Sequence, residues 1–378
     1  MRTYRALTWD HPRGYDALAA AANARAAIDG VGLLWEKQPL EGFESHPIEE
    51  LCSAYDIVVL DHPHIGEAVA RGCLQPLEPL FGMGDVEQWQ AQSIGPSLRS
   101  YQIGGQTWAL PLDAAAQVMA CRPDLLAGSI PATWSEVADL PASVPVSLSL
   151  AGPHAFVTFM SIAATSGEPI GSVEPGLLVS ESTGRKTIDV MQALYGRTAP
   201  EMVELNPIRM LDLMSTSDRL ALCPLIFGYV NYSRPSNEAR AVRFTDVPTF
   251  SGKLESAASV IGGTGIALSR QCEVTPELLS HLRWLMSDQA QREFIPLHAG
   301  QPSQRAAWHD PRVNDLTNGF FEGTARTLEQ SWVRPRFDGY IAFQTQAAGM
   351  LRNALANDTS VAALLNSLQS AYRQSYKS

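Results

Sequence analysis

Asp61, His62 and His64 lie within four residues of one another, directly after the apolar run Ile57-Val58-Val59-Leu60. Two imidazoles and a carboxylate can hydrogen-bond a polar ligand, move a proton or hold a metal ion. Two further clusters have the same character. Trp9-Asp10-His11-Pro12-Arg13-Gly14-Tyr15 brings together an indole, an imidazole, a guanidinium and a phenol, and Pro111-Leu112-Asp113 adds a carboxylate after another strand-like run. If the three runs are neighbouring strands, the clusters share one rim of a sheet, where open α/β sheets bind small ligands. The structural alternative is that Asp10 and Asp61 cap the helices that follow, with His62 and His64 solvated in a loop. A second group places aromatic side chains at element ends: His154 with Phe156, Phe227 with Tyr229, and Tyr340. Such rings stack on a flat or ring-shaped ligand, or fill an ordinary core.

Chemistry on a metal is the main enzymatic reading. A hydrolase built on Asp61, His62 and His64 needs further His and Asp ligands at later strand ends. His154, His281, His298 and His309 do not repeat the pattern. Gly262-Gly263-Thr264-Gly265 is glycine-rich, but a strand rather than a helix follows it, so it is not a dinucleotide fingerprint. No phosphate-binding GxxxxGK[ST] and no GxSxG nucleophile elbow occur. The expectation is therefore a protein that binds without catalysing and needs no cofactor. The metal-dependent hydrolase is kept as the alternative.

The elements that would position these groups follow in order. Strands are expected at Arg5–Trp9, Gly32–Lys37 and Asp56–Leu60, with helices at Asp16–Ile28 and Ile48–Ala54 between them. This alternation is that of an α/β fold. Further strands are read at 106–111, 117–122, 144–150 and 220–227, and helices at 154–166, 188–195 and 276–287. Thr133, with Glu136 three residues on, has the form of a capping box. From Tyr340 to Tyr372 the chain reads as mostly helical.

Composition narrows the function class. The chain has 378 residues, enough for two domains, with a formal charge of −11. That balance argues against nucleic-acid binding, which needs clustered Lys and Arg. No apolar run approaches the roughly 20 residues that span a bilayer, so no membrane insertion is expected. The 5 cysteines are odd in number and widely spaced, as reduced thiols would be. With no leader ahead of the strand-like Tyr4–Trp9, the sequence as it stands reads as cytoplasmic. A trimmed or misassigned start would make it periplasmic.

Taken in order, these segments resemble the family 1 extracellular solute-binding proteins, the sugar-type substrate-binding components of ABC importers that include maltose-binding protein. The landmarks are Leu7-Thr8-Trp9, Tyr55-Asp56-Ile57-Val58-Val59 and Gly72-Cys73-Leu74-Gln75-Pro76-Leu77. Further along come Gly105-Gln106-Thr107-Trp108-Ala109-Leu110-Pro111, Pro131-Ala132-Thr133-Trp134-Ser135-Glu136-Val137, Gly262–Ser269 and Val333-Arg334-Pro335-Arg336-Phe337-Asp338-Gly339-Tyr340. The resemblance implies a type II periplasmic-binding-protein-like fold, two α/β lobes around a hinge and a ligand cleft. The lobes would be 1–111 plus 262–306, and 112–261 plus 307–378. It also implies a small polar ligand bound by hinge closure, a monomer, and an ABC permease as partner if the chain is exported. If it is not, a metabolite sensor or carrier is implied. Ligand contacts carried over by position are His11, Arg13 and Tyr15 beside Trp9, then His62, His64 and Asp113. His154, Phe156, Phe227, Tyr229, Gly263, Thr264 and Tyr340 complete the set. Sugar-binding clefts often present acids, whereas imidazoles and an Arg stand here. A sugar acid or other anionic metabolite is thus expected alongside a sugar.

Overall fold

The computed structural model describes residues 2–126, 128–236, 239–254, 258–357 and 359–376. Its chain divides into two compact units. The first is Met1–Ala115, Gly262–Leu316 and Arg334–Asp338; the second is Ala116–Ile261, Thr317–Val333 and Gly339–Ser378.

In the first unit, β1 (Arg2–Trp9), β2 (Val31–Gln38) and β3 (Ile57–Leu60) are parallel, with β1 in the middle. Every residue of β3 is buried, as in a strand covered on both faces. The short strands β4 (Gln102–Ile103) and β5 (Gln106–Thr107) pair separately. The strand β6 (Leu110–Cys121) starts in this unit and is buried throughout. It covers most of what the sequence suggests are two strands, because a run without polar alternation shows no period to read. The strands β7 (Leu222–Phe227) and β8 (Arg243–Thr245) belong to the second unit, and both run antiparallel to β6. Last, β9 (Ile261–Leu268) lies antiparallel to β3, with Leu60 opposite Gly265. The start of β9 is therefore beside the end of β3.

Two expectations are corrected. The first helix runs Pro12–Asp29 rather than from Asp16. Pro12 and Gly14 read as loop residues, but proline suits the first turn, where its missing N–H is not needed. His11 is the N-cap, its side chain accepting from the Arg13 amide, so the capping role considered for Asp10 falls to His11. The segment 144–150 makes only an isolated bridge, Val146 to Leu222, rather than a strand. Pro145 supplies no ladder N–H there.

The second unit is built around the helix His154–Thr165, of which all but the last residue is buried. The helices Tyr340–Ala356 and Val361–Ser375 form its C-terminal part. The capping box at Thr133 and Glu136 is present. Arg197 gathers the end of the capped helix Trp134–Ala138 and the turn after it by donating to the carbonyls of Val137, Ala138, Leu140, Pro141 and Val144.

Candidate functional site: a buried, charge-balanced cluster

The parallel pairing of β1 with β3 brings Trp9 and Asp61 to one edge of the first unit's sheet, and antiparallel β9 delivers Gly263 and Thr264 to the same edge. Trp9 and His11 stack with ring centroids 5.2 Å apart and planes within 6°. Arg13, in the first helical turn, lies over the Trp9 ring at 5.7 Å. Its guanidinium grips Asp113, with Nε donating to Oδ2 at 2.8 Å and Nη2 donating to Oδ1. Both side chains are buried, at 3% and 4% exposure.

Asp113 also accepts from the Thr264 amide. Gly263 makes that approach possible. It has φ +95°, and a Cβ there would stand 2.3 Å from the Asp113 carbonyl oxygen. The Tyr101 hydroxyl reaches the Gly263 carbonyl at 3.4 Å, and the Tyr101 ring meets His62 edge-to-face with centroids 6.4 Å apart. His62 Nδ1 is 3.1 Å from Asp61 Oδ1, and the other Asp61 oxygen accepts from Arg334. Asp61 also takes the His62 amide, as the capping reading expected. His62 and His64 are buried rather than solvated.

Burial and pairing set the charges. Burial, reinforced by Arg13, pushes the His11 imidazole down to about 3. Burial and Arg334 push His62 down to about 4, although Asp61 pulls the other way. Burial lowers His64 as well. Burial alone would raise the Asp61 carboxyl, but Arg334 and His62 outweigh it and hold the group well below the usual carboxylate range. At Asp113, burial raises the carboxyl more than Arg13 and the Thr264 amide lower it. Asp61 thus stays ionised against Arg334, Arg13 is paired with Asp113, and the imidazoles are neutral at neutral pH. The positive charge expected from His11, Arg13, His62 and His64 is absent.

Tyr15 stands apart, half-buried, with the Lys37 ammonium 4.8 Å from its ring centre. Lys37 in turn pairs with Asp10. Sequence reasoning missed Tyr101 and Arg334 as members of the cluster. Arg334 stood in the closing aromatic segment used for the resemblance, but nothing local tied it to Asp61, 273 positions away.

In the second unit, His154 opens its helix and meets Phe227 edge-on, with centroids 5.9 Å apart. Tyr229 meets Tyr232 edge-on at 6.4 Å. Phe156 and Tyr340 have no exposed surface. Both contact Phe343, and Phe156 also stacks with Phe159. The Tyr340 hydroxyl lies 3.2 Å from Gln344 Oε1. These two rings are part of the packed interior. A pocket of about 240 Å³ in this unit is walled by Leu177, Leu178, Val179 and Leu365, and none of the expected site residues lines it.

Among the described residues, no three His, Cys, Asp or Glu side chains gather where a metal ion could sit. The Asp61–His62–His64 metal centre of the alternative reading is thus corrected: Asp61 is committed to Arg334 and His62. Among the described residues no helix is long and apolar enough to cross a membrane.

A search of curated proteins finds no match. Among solved structures, a ribitol-bound ABC transporter solute-binding protein from Agrobacterium radiobacter K84 is similar, with 22% identity, 98% of each chain covered and a TM-score of 0.80. A maltose-bound T. maritima MalE3 aligns with 14% identity over 99% of this chain and 100% of its own, with a TM-score of 0.82. A solute-binding protein from Agrobacterium vitis S4 with bound D-mannitol aligns with 15% identity over 100% of this chain and 99% of its own, with a TM-score of 0.75. These likenesses establish the type II periplasmic-binding-protein fold expected from the sequence. The family model for bacterial extracellular solute-binding proteins matches residues 53–292, more than half of the chain. The chain belongs to the bacterial extracellular solute-binding protein family.

Proposed function

We propose that this protein binds a neutral polyhydroxylated solute, a polyol or small sugar, without transforming it, and hands it to an ABC permease. The observation that carries the ligand class is the charge balance of the buried cluster. Arg13 and Arg334 are already paired with Asp113 and Asp61, and His11 and His62 are neutral at physiological pH. An anion entering such a site would find no unbalanced positive charge to offset its own desolvation. A polyol needs only hydrogen-bonding partners. The similar structures holding ribitol and D-mannitol support the same choice. The sugar-acid expectation rested on cationic imidazoles, and we set it aside.

Trp9, His11, Arg13, His62, Asp113, Gly263 and Thr264 are proposed as the first unit's contribution, and His154, Phe227 and Tyr229 as the second's. Hinge closure of a monomer on its ligand is part of the proposal, with an unchanged scattering envelope at saturation counting against it. Membership of an extracellular family favours export over the cytoplasmic role expected from the sequence, and cell fractionation decides between them.

The deciding experiment is a thermal-shift screen of ribitol, D-mannitol and maltose against the matching sugar acids and polyol phosphates. A ligand at 100 times its dissociation constant adds about 2.7 kcal/mol. That raises Tm by about 3–4 °C in a protein of this size. Shifts from the acids or phosphates, with none from the neutral compounds, would overturn the assignment.

A further inference from the structure

We propose that Cys52 and Cys73 form a disulfide site: met by a disulfide oxidant, the two thiols join and fasten the segment that carries β3 and Asp61. The inference does not depend on the ligand.

Both side chains are free thiols, buried in one apolar cluster with Leu51, Val58, Ala68 and Leu74. They meet there, with the Cys52 S–H donating to the Cys73 sulfur. Cys52 lies on the helix Ile48–Ala54, one turn beyond Glu49 and on the same face. Cys73 follows the helix Ile65–Ala70, two residues after Arg71. Glu49 and Arg71 pair at 3.1 Å, so an exposed ion pair braces the same two segments. The Cys73 backbone is fixed as well. Its amide donates to the Ala68 carbonyl at 2.9 Å, and its carbonyl accepts from the Arg270 amide at 2.7 Å.

The other three of the 5 cysteines have no such neighbour. Cys121 and Cys223 stand on adjacent strands, but Cys121 is opposite Leu222 and Cys223 opposite Ala120. Their side chains therefore leave the sheet on opposite faces. Cys272 is influenced by Asp56, Arg2 and Glu273, none of them a thiol. Burial pushes all three up to about 12, which keeps them protonated and inert. The fold thus separates one pair from an odd number that reads as unpaired.

The reaction is a thiol–disulfide exchange. The Cys73 thiolate attacks one sulfur of a disulfide oxidant, and the other sulfur leaves. Cys52 then attacks Cys73 Sγ in the mixed disulfide. Its proton passes to the departing sulfur, so two thiols become one disulfide and the oxidant becomes two thiols. Cys73 is suited to the first attack, because the Cys52 S–H stabilises its thiolate and offsets part of the rise caused by burial. An exported chain meets such oxidants, whereas the cytosol keeps thiols reduced. The closed loop contains β3, Asp61, His62 and His64, so the bond would tie down the segment behind the charged cluster.

Peptide mapping tests this on the folded wild type. The protein is incubated with oxidised glutathione, denatured, alkylated and cut with trypsin without reductant. Cleavage after Lys37, Arg71 and Arg99 puts Cys52 in the peptide 38–71 and Cys73 in 72–99. The expected result is one linked species of these two peptides, with Cys121, Cys223 and Cys272 alkylated. Dithiothreitol should then lower Tm of the oxidised protein by about 4 °C, and Cys73→Ala should show no such response. Recovery of 38–71 and 72–99 as separate peptides, or a link to any other cysteine, overturns the site without requiring a variant to fold. Linked peptides with a Tm indifferent to reductant overturn the fastening of the segment.

Discussion

His11 and His62 carry ordinary side chains with far from ordinary proton affinities, about 3 and about 4 in the folded chain. In the unfolded chain each takes up a proton near pH 6.5. Between those values the unfolded state binds more protons, so the contribution of each imidazole is fully present above about pH 6.5. It is lost as pH falls toward the folded value. The slope is about 1.4 kcal/mol per pH unit for each imidazole in that window. Asp61 adds a loss only below its unfolded pKa near 3.9, because its folded pKa is depressed. Urea midpoints should therefore fall between pH 6.5 and 4.5, and His62→Gln should flatten the decline. A midpoint that does not move over that range contradicts the buried, neutral assignment. The sequence identified most of these residues, because imidazoles, an Arg and carboxylates at strand ends are unusual as core. Their charge was not legible. Arg13 finds Asp113 at a separation of 100 positions, and pairing at that distance leaves no local trace.

Among the elements, the helix Ile65–Ala70 meets a tighter constraint than its sequence suggests. A Cβ on Gly66 would stand 1.5 Å from the Arg336 carbonyl oxygen and 2.4 Å from its carbon. Neither backbone can yield without breaking the seating of residues 334–338. Gly66→Ala is expected to cost several kcal/mol, against a gain of about 0.4–1 kcal/mol where a helical glycine is unhindered. Gly349, in the helix Tyr340–Ala356, has nothing within 4 Å of a Cβ and serves as that control. Thermal unfolding of the two variants should move Tm in opposite directions, and equal shifts would refute the close approach. Elements with a clear period or cap were legible, such as the capping box at Thr133 and the buried run of β3. Failures had local causes. A uniformly buried β6 hides its length, and Pro12 reads as a breaker where it starts a helix.

For the whole molecule, the alternation of strands and helices was enough to place the class. The order of landmarks was enough to suggest the family that the match over residues 53–292 then established. Least legible was how often the chain changes unit. Residues Arg334–Asp338 return to the first unit for five positions, between stretches of the second. Arg334 pairs with Asp61 there, and Arg336 donates to the carbonyls of Arg99, Ser100 and Gln102. No linker composition marks this return. It constrains the order of events during synthesis. The first unit has nearly all its residues once Leu316 has been made, yet Asp61 keeps a buried, uncompensated charge until Arg334 leaves the ribosome. Nascent chains stalled before that point should be cut readily by protease within the first unit, and chains stalled well beyond Asp338 should resist. An amino-terminal unit that must wait for residues near the carboxyl end exposes its apolar sheet for most of translation. That makes it a natural client for chaperones that hold unfinished chains.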